Sequence, residues 1–110
     1  MLRIGRLPRT LEARKKMERF LDEVFLPSMR EKKYETLKLI QAGGLKAPTL
    51  TIWGINDQSS PMKLGIDLLH VISSVVDRTE FHAVNHAGHY VFREQARDVN
   101  RLIVDFVKSL

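Results

Sequence analysis

The stretch Thr49-Leu50-Thr51-Ile52-Trp53-Gly54-Ile55-Asn56-Asp57 decides the fold. Its first five residues are β-branched, aliphatic or aromatic and are closed by a glycine, the composition of a short buried strand. A second run, Thr79 to Val84, reads the same way and leads into the loop Asn85-His86-Ala87-Gly88-His89-Tyr90. Between the two, Ser60-Pro61 reads as an N-cap followed by proline in the first turn of a helix, where the missing N–H costs little. That helix is expected to reach about Ser73 and to bury Leu64, Leu68, Val71 and Ile72. A last helix, about Arg93 to Leu110, has Val99, Leu102, Ile103, Phe106, Val107 and Leu110 at i, i+3, i+4, i+7 spacing. From Leu45 onward the order is therefore strand, helix, strand, helix, which predicts an α/β class with a parallel pair joined by a crossover helix. Two parallel strands are too few to cover both of their faces, so this pattern has the look of one end of a larger sheet.

Upstream of Pro48 the grammar is helical. Leu11, Met17, Phe20, Leu21, Val24 and Phe25 recur at helix spacing over about Pro8 to Phe25, opposite Arg14, Lys15, Glu18, Arg19, Asp22 and Glu23. Pro27-Ser28 is expected to interrupt this helix, because the residue before a proline is pushed away from helical angles. A second helix is expected from about Ser28 to Gln41, ended by Gly43-Gly44. Two parts follow, a helical one over residues 1–44 and a mixed one over residues 45–110.

Composition narrows the classes. The 110 residues are 44% hydrophobic and 28% charged, ordinary for a globular chain. No apolar run approaches the roughly 20 residues that span a bilayer. Met1-Leu2-Arg3-Ile4 has no apolar segment behind it of the kind that marks a secretory signal, so a cytoplasmic location is expected, without membrane contact. The absence of cysteine removes disulfides and thiolate chemistry. The net charge of +5 sits entirely in residues 1–40, with eleven Lys/Arg against six Asp/Glu, whereas residues 41–110 balance. This asymmetry raises the alternative of a basic helical nucleic-acid-binding module. Arg14-Lys15-Lys16 and Arg30-Glu31-Lys32-Lys33 are short runs broken by acids, without the dense one-sided stripe of such modules, so a solvated surface and no nucleic-acid partner are expected. A non-catalytic interaction module, or a homo-oligomer pairing through uncovered apolar faces, is the other alternative.

Ligands of open α/β sheets gather beyond the carboxyl ends of the strands. There the first strand delivers Asp57 and the second delivers His89. A carboxylate that accepts the Nδ1–H of an imidazole fixes its tautomer and leaves Nε2 free as a base. Glycine at 88 is expected to supply the sharp turn beside the ring. Taken alone, Asp57 would more often be a turn residue making Asx hydrogen bonds. The spacing His82-x₃-His86-x₂-His89 crosses a strand and a loop rather than one helix face and lacks H-E-x-x-H, so no metal site is expected; His86 is given no role and His82 belongs to the strand.

The residues from Ala47 to Asp57, with the acid just past the glycine, resemble the penultimate strand of the α/β-hydrolase superfamily. His86-Ala87-Gly88-His89-Tyr90 resembles its histidine loop, and Glu94 with Asn100-Arg101-Leu102-Ile103-Val104-Asp105-Phe106 resembles its closing segment. The family's triad order, Ser…Asp/Glu…His, is kept by Asp57 and His89. The spelling Trp-Gly-x-x-Asp and the Asn-Arg-Leu helix are similar to meta-cleavage-product hydrolases, which split a carbon–carbon bond in ring-fission products. The likeness covers residues 48–110. It departs at Gln58, where a charged residue is common, and at Tyr90, where tryptophan is frequent. The resemblance implies that Asp57 is the triad acid and His89 the base, with Trp53 and Tyr90 as candidate substrate-binding side chains, no cofactor and no metal. The implied chemistry is ketonisation of a dienol, attack at the carbonyl and hydrolysis of a small-molecule substrate. It also implies that residues 1–44 are the end of a helical cap. No G-x-S-x-G elbow occurs; none of Ser28, Ser59, Ser60, Ser73, Ser74 and Ser109 has flanking glycines at that spacing. The expectation is therefore a hydrolase fragment that supplies acid and base and is inactive alone.

Overall fold

The computed structural model describes residues 7–110; the leader expectation, which falls on Met1-Leu2-Arg3-Ile4, lies outside the described residues. The chain divides after Leu37 into two units. The first is helical: α1 (Pro8–Phe20), a π-helical turn (Leu21–Phe25) and the start of α2 (Leu26–Gln41). Pro8 occupies the first turn of α1, where its fixed φ suits the helix.

The interruption expected at Pro27-Ser28 does not occur, since the chain stays helical from Pro8 to Gln41. Pro27 has no N–H for the carbonyl of Glu23, and its ring would press on that carbonyl in a regular α-helix. The turn before it is instead widened: the N–H of Leu26 donates to the carbonyl of Leu21, five residues back. Ser28 Oγ donates to the carbonyl of Val24 at 2.6 Å. No residue of α1, the π turn or α2 is buried.

The helix ends where glycine was expected to end it. Gly43, at φ +86°, takes the left-handed conformation open to a residue without Cβ. Its N–H donates to Ile40 and that of Gly44 to Leu39, capping the last carbonyls of α2.

In the second unit β1 (Thr49–Gly54) and β2 (Thr79–Val84) pair in parallel, with Thr49 opposite Thr79 and Gly54 opposite Val84. The crossover is α3 (Met62–Ser73). It lies on the face that presents Trp53 and Phe81, whose rings stack at 6.5 Å. Gly65 is buried there, and an added Cβ would sit 2.7 Å from the indole. Pro61, not Ser60, is the N-cap residue of α3, and no side chain caps it. The serine is diverted: its carbonyl accepts the Trp53 indole N–H at 2.9 Å and its N–H is taken by Asp57. Leu64, expected inside, is 48% exposed, and the buried contacts of α3 come from Gly65 and Ile72.

The single helix expected over Arg93 to Leu110 is two: α4 (Val91–Glu94) and α5 (Ala96–Lys108), separated by Gln95 at φ −132°, ψ 53°. Val99 and Phe106 are buried, while Ile103, Val107 and Leu110 are exposed. The apolar stripe of α5 is thus wider than the surface available to cover it. The same holds for the sheet, where only Gly54 and Val84 are buried. Among the described residues no helix is long and apolar enough to cross a membrane.

Candidate active site

The two strands end side by side because they are parallel and in register, so the loops after Gly54 and Val84 leave the same rim of the sheet. They are stitched together by backbone bonds: Ile55 N–H donates to Val84 and Asn56 N–H to Ala87. Gly54 makes this contact possible. A Cβ at that position would run into the carbonyl oxygens of Gly88 and Ala87.

Asp57 follows at the end of a turn in which its own N–H donates to the Gly54 carbonyl. Its two oxygens have separate tasks. Oδ1 accepts the N–H of Ser59 at 3.0 Å, the N–H of Ser60 at 2.9 Å and the Ser59 hydroxyl at 3.2 Å. Oδ2 accepts Nδ1–H of His89 at 3.0 Å. The Asx-turn reading and the ion-pair reading of Asp57 are thus both present, one on each oxygen. The carboxyl is held below its ordinary value of 3.8, first by the Ser60 N–H, with the His89 and Ser59 bonds and the His89 charge adding to it; burial opposes this without overcoming it.

The side chain of Asp57 is 6% exposed and that of His89 is 52% exposed. The acid is therefore covered and the base is open to the medium. Because an ionised carboxylate only accepts, the proton shared with it lies on Nδ1, and in the neutral ring the lone pair is on Nε2. Nε2 has no partner among the described residues. A cavity of about 160 Å³ opens beside the pair, lined by Ile52, Trp53, Gly54, Asp57, Ser60, His89 and Val91.

Of the two candidate substrate-binding residues, Trp53 lines this cavity with its indole N–H already committed to Ser60. Tyr90 does not line it. Its ring stands edge-on to His89 at 5.5 Å and to Phe92 at 6.2 Å and is 56% exposed.

The left-handed turn in the histidine loop falls on His86, at φ +54°, and not on Gly88 as expected. Gly88 serves instead as a donor, giving its N–H to Glu94 Oε1 at 3.1 Å. The carbonyl of His86 accepts from Gln95 Nε2 at 3.0 Å, and its N–H donates to Asn85 Oδ1 at 2.9 Å. Gln95 and the side chain of Asn85 escaped sequence reasoning; the only signal was a glutamine where the last helix breaks. The ring of His82 bonds to Glu80 at 3.0 Å. Among the described residues no group of three or more His, Cys, Asp or Glu side chains is assembled to hold a metal.

A parallel strand–helix–strand unit with an acid and an imidazole joined at the carboxyl ends of its strands is an α/β framework carrying a charge-assisted hydrogen-bonded pair. No family model matches the chain. Its sequence is 38% identical over 64 residues, 58% of this chain and 21% of the relative, to 2-hydroxy-6-oxononadienedioate/2-hydroxy-6-oxononatrienedioate hydrolase 2 of Pseudomonas putida. Hydrolases of the same description from Cupriavidus pinatubonensis and Paraburkholderia xenovorans are each 37% identical over 65 residues, 59% of this chain and 21% of the relative. Over that stretch the chain's curated relatives are meta-cleavage-product hydrolases of the α/β-hydrolase family. The chain spans about a fifth of the matched relatives' length.

Proposed function

We propose that this chain is the C-terminal acid–base part of an α/β hydrolase that cleaves a carbon–carbon bond in small-molecule ring-fission products. Residues 45–110 supply the end of its core and residues 1–44 the end of its cap. The observation that carries the reading is the 3.0 Å bond between His89 Nδ1 and Asp57 Oδ2, with Nε2 left open. Asp57 is ionised under ordinary conditions, holds the ring in the Nδ1–H tautomer and stabilises the imidazolium formed when Nε2 takes a proton. His89 takes that proton from the nucleophile and returns it to the leaving carbon, while Trp53 bounds the substrate beside it. The serine and the oxyanion donors come from outside these 110 residues. Without them the pair has no attacking oxygen to activate.

The relatives named above act on 2-hydroxy-6-oxo dienedioates by their descriptions. Carried to this chain, the substrate is a dienol bearing a ketone whose carbonyl carbon is one end of the scissile bond. Ketonisation creates the electron sink, and hydrolysis at the carbonyl then releases a carboxylic acid. The test is a chimera in which this segment replaces its counterpart in the Pseudomonas putida relative. The isolated 110-residue chain is expected to show no turnover of the ring-fission dienedioate, and the chimera to restore it. Asp57→Asn in the chimera should lower kcat by about 10⁴-fold, the scale at which a triad loses its tautomer. A soluble, folded chimera without activity, or one indifferent to Asp57→Asn, would sink the proposal.

A further inference from the structure

We propose that Glu94 and Gln95 are positioning residues for His89, holding its loop from the break between α4 and α5. The inference rests on the acid–base reading of Asp57 and His89. Buried or constrained peptide groups must find partners, and those of the histidine loop do. The N–H of His86 goes to Asn85 Oδ1 and its carbonyl to Gln95 Nε2. The carbonyl of Ala87, a residue only 1% exposed, goes to Asn56 N–H. The N–H of Gly88 goes to Glu94 Oε1. Two of these four ties come from adjacent residues, Glu94 at the end of α4 and Gln95 in the break that follows it.

Adjacent residues of a continuous helix point about 100° apart around its axis. Residues 94 and 95 can both reach back to the loop because Gln95 leaves the helical region between α4 and α5. The tie at His86 also has strain to hold, since a left-handed non-glycine residue is disfavoured by its Cβ and persists only where its surroundings determine it. Beyond the break, α5 is seated by Val99 and Phe106, at 4% and 8% exposure, two of the six buried apolar residues among those described. The imidazole loop is thereby tied to the start of a helix seated by buried side chains rather than left to an exposed loop.

The test is ¹⁵N NMR of the histidine rings in the 110-residue chain, which separates Nδ1–H engaged with a carboxylate from a freely exchanging ring. Gln95→Ala and Glu94→Ala are each expected to lower the ratio of paired to unpaired His89 by about three- to tenfold, the weight of one hydrogen bond, with unchanged far-UV circular dichroism. Gln95→Lys keeps a donor for the His86 carbonyl and Glu94→Gln keeps an acceptor for Gly88 N–H, so both should retain the parent ring signature. Alanine variants with the parent signature would overturn the proposal. So would Lys and Gln variants that are folded but lose it, even if the alanine variants fail to fold. Asp57→Ala separates the two levels. If it abolishes the paired signal while the alanine variants at 94 and 95 leave it intact, only the positioning role falls. If it too leaves the ring unchanged, the acid–base reading fails, and the positioning role with it.

Discussion

Asp57 concentrates four hydrogen bonds on one carboxylate, and its acidity is the measurable consequence. A folded-state value below the unfolded one means that stability from this group is fully present above about pH 4 and is lost as pH falls through the lower folded value. Asp57→Asn should therefore lower the urea midpoint at pH 6 and converge with the parent chain toward pH 2; a gap that stays constant with pH would contradict the ionised pairing. Gly54 acts at the same scale through what it lacks. Gly54→Ala forces a methyl against the carbonyls of Ala87 and Gly88. Overpacking of this kind costs about 1–3 kcal/mol, and here it also pries the two loops apart. A parent-like His89 ring signal in that variant would show that the loops adjust without moving the pair.

At the scale of elements, local propensity was overridden twice, by different physics. Pro27 reads as a stop, yet the helix absorbs it by shifting one bond from i−4 to i−5 in the turn ahead. Pro27→Ala restores a donor for the Glu23 carbonyl and removes the ring clash, so α1 and α2 should gain helical ellipticity at 222 nm and melt later; an unchanged or lower signal would argue against the proline as the cause of the π turn. At Gln95 the opposite happens, and a sequence with unbroken helical periodicity breaks. Nothing in the spacing of Val99 through Leu110 signals this, because the break accompanies bonds of Glu94 and Gln95 to a loop several residues upstream.

At the scale of the molecule, apolar residues outnumber the surfaces that could cover them. Six apolar side chains are buried among the described residues, while Ile103 and Val107 on α5 and Leu110 just past its end lie open, as do Phe20, Val24 and Phe25 on the first unit. Only one edge of β1 is paired among the described residues. Exposed apolar rows and strand edges promote association. The purified chain is expected to elute as a small homo-oligomer by size exclusion with light scattering; a monomer of 12.7 kDa that unfolds cooperatively would contradict this.

The alternation of strand and helix, the parallel pairing, the glycine stop after α2 and the meeting of residues 57 and 89 were legible in the amino-acid order. Each depends on residue type at short range, or on the rule that parallel strands end at a common rim. What only the tertiary structure decided lies between segments: the π turn, the diversion of Ser60 from capping to Asp57 and Trp53, the left-handed turn at His86 instead of Gly88, and the break at Gln95. A side chain's hydrogen-bond partner is chosen among groups that folding brings within about 3 Å, and a linear pattern carries no record of that distance.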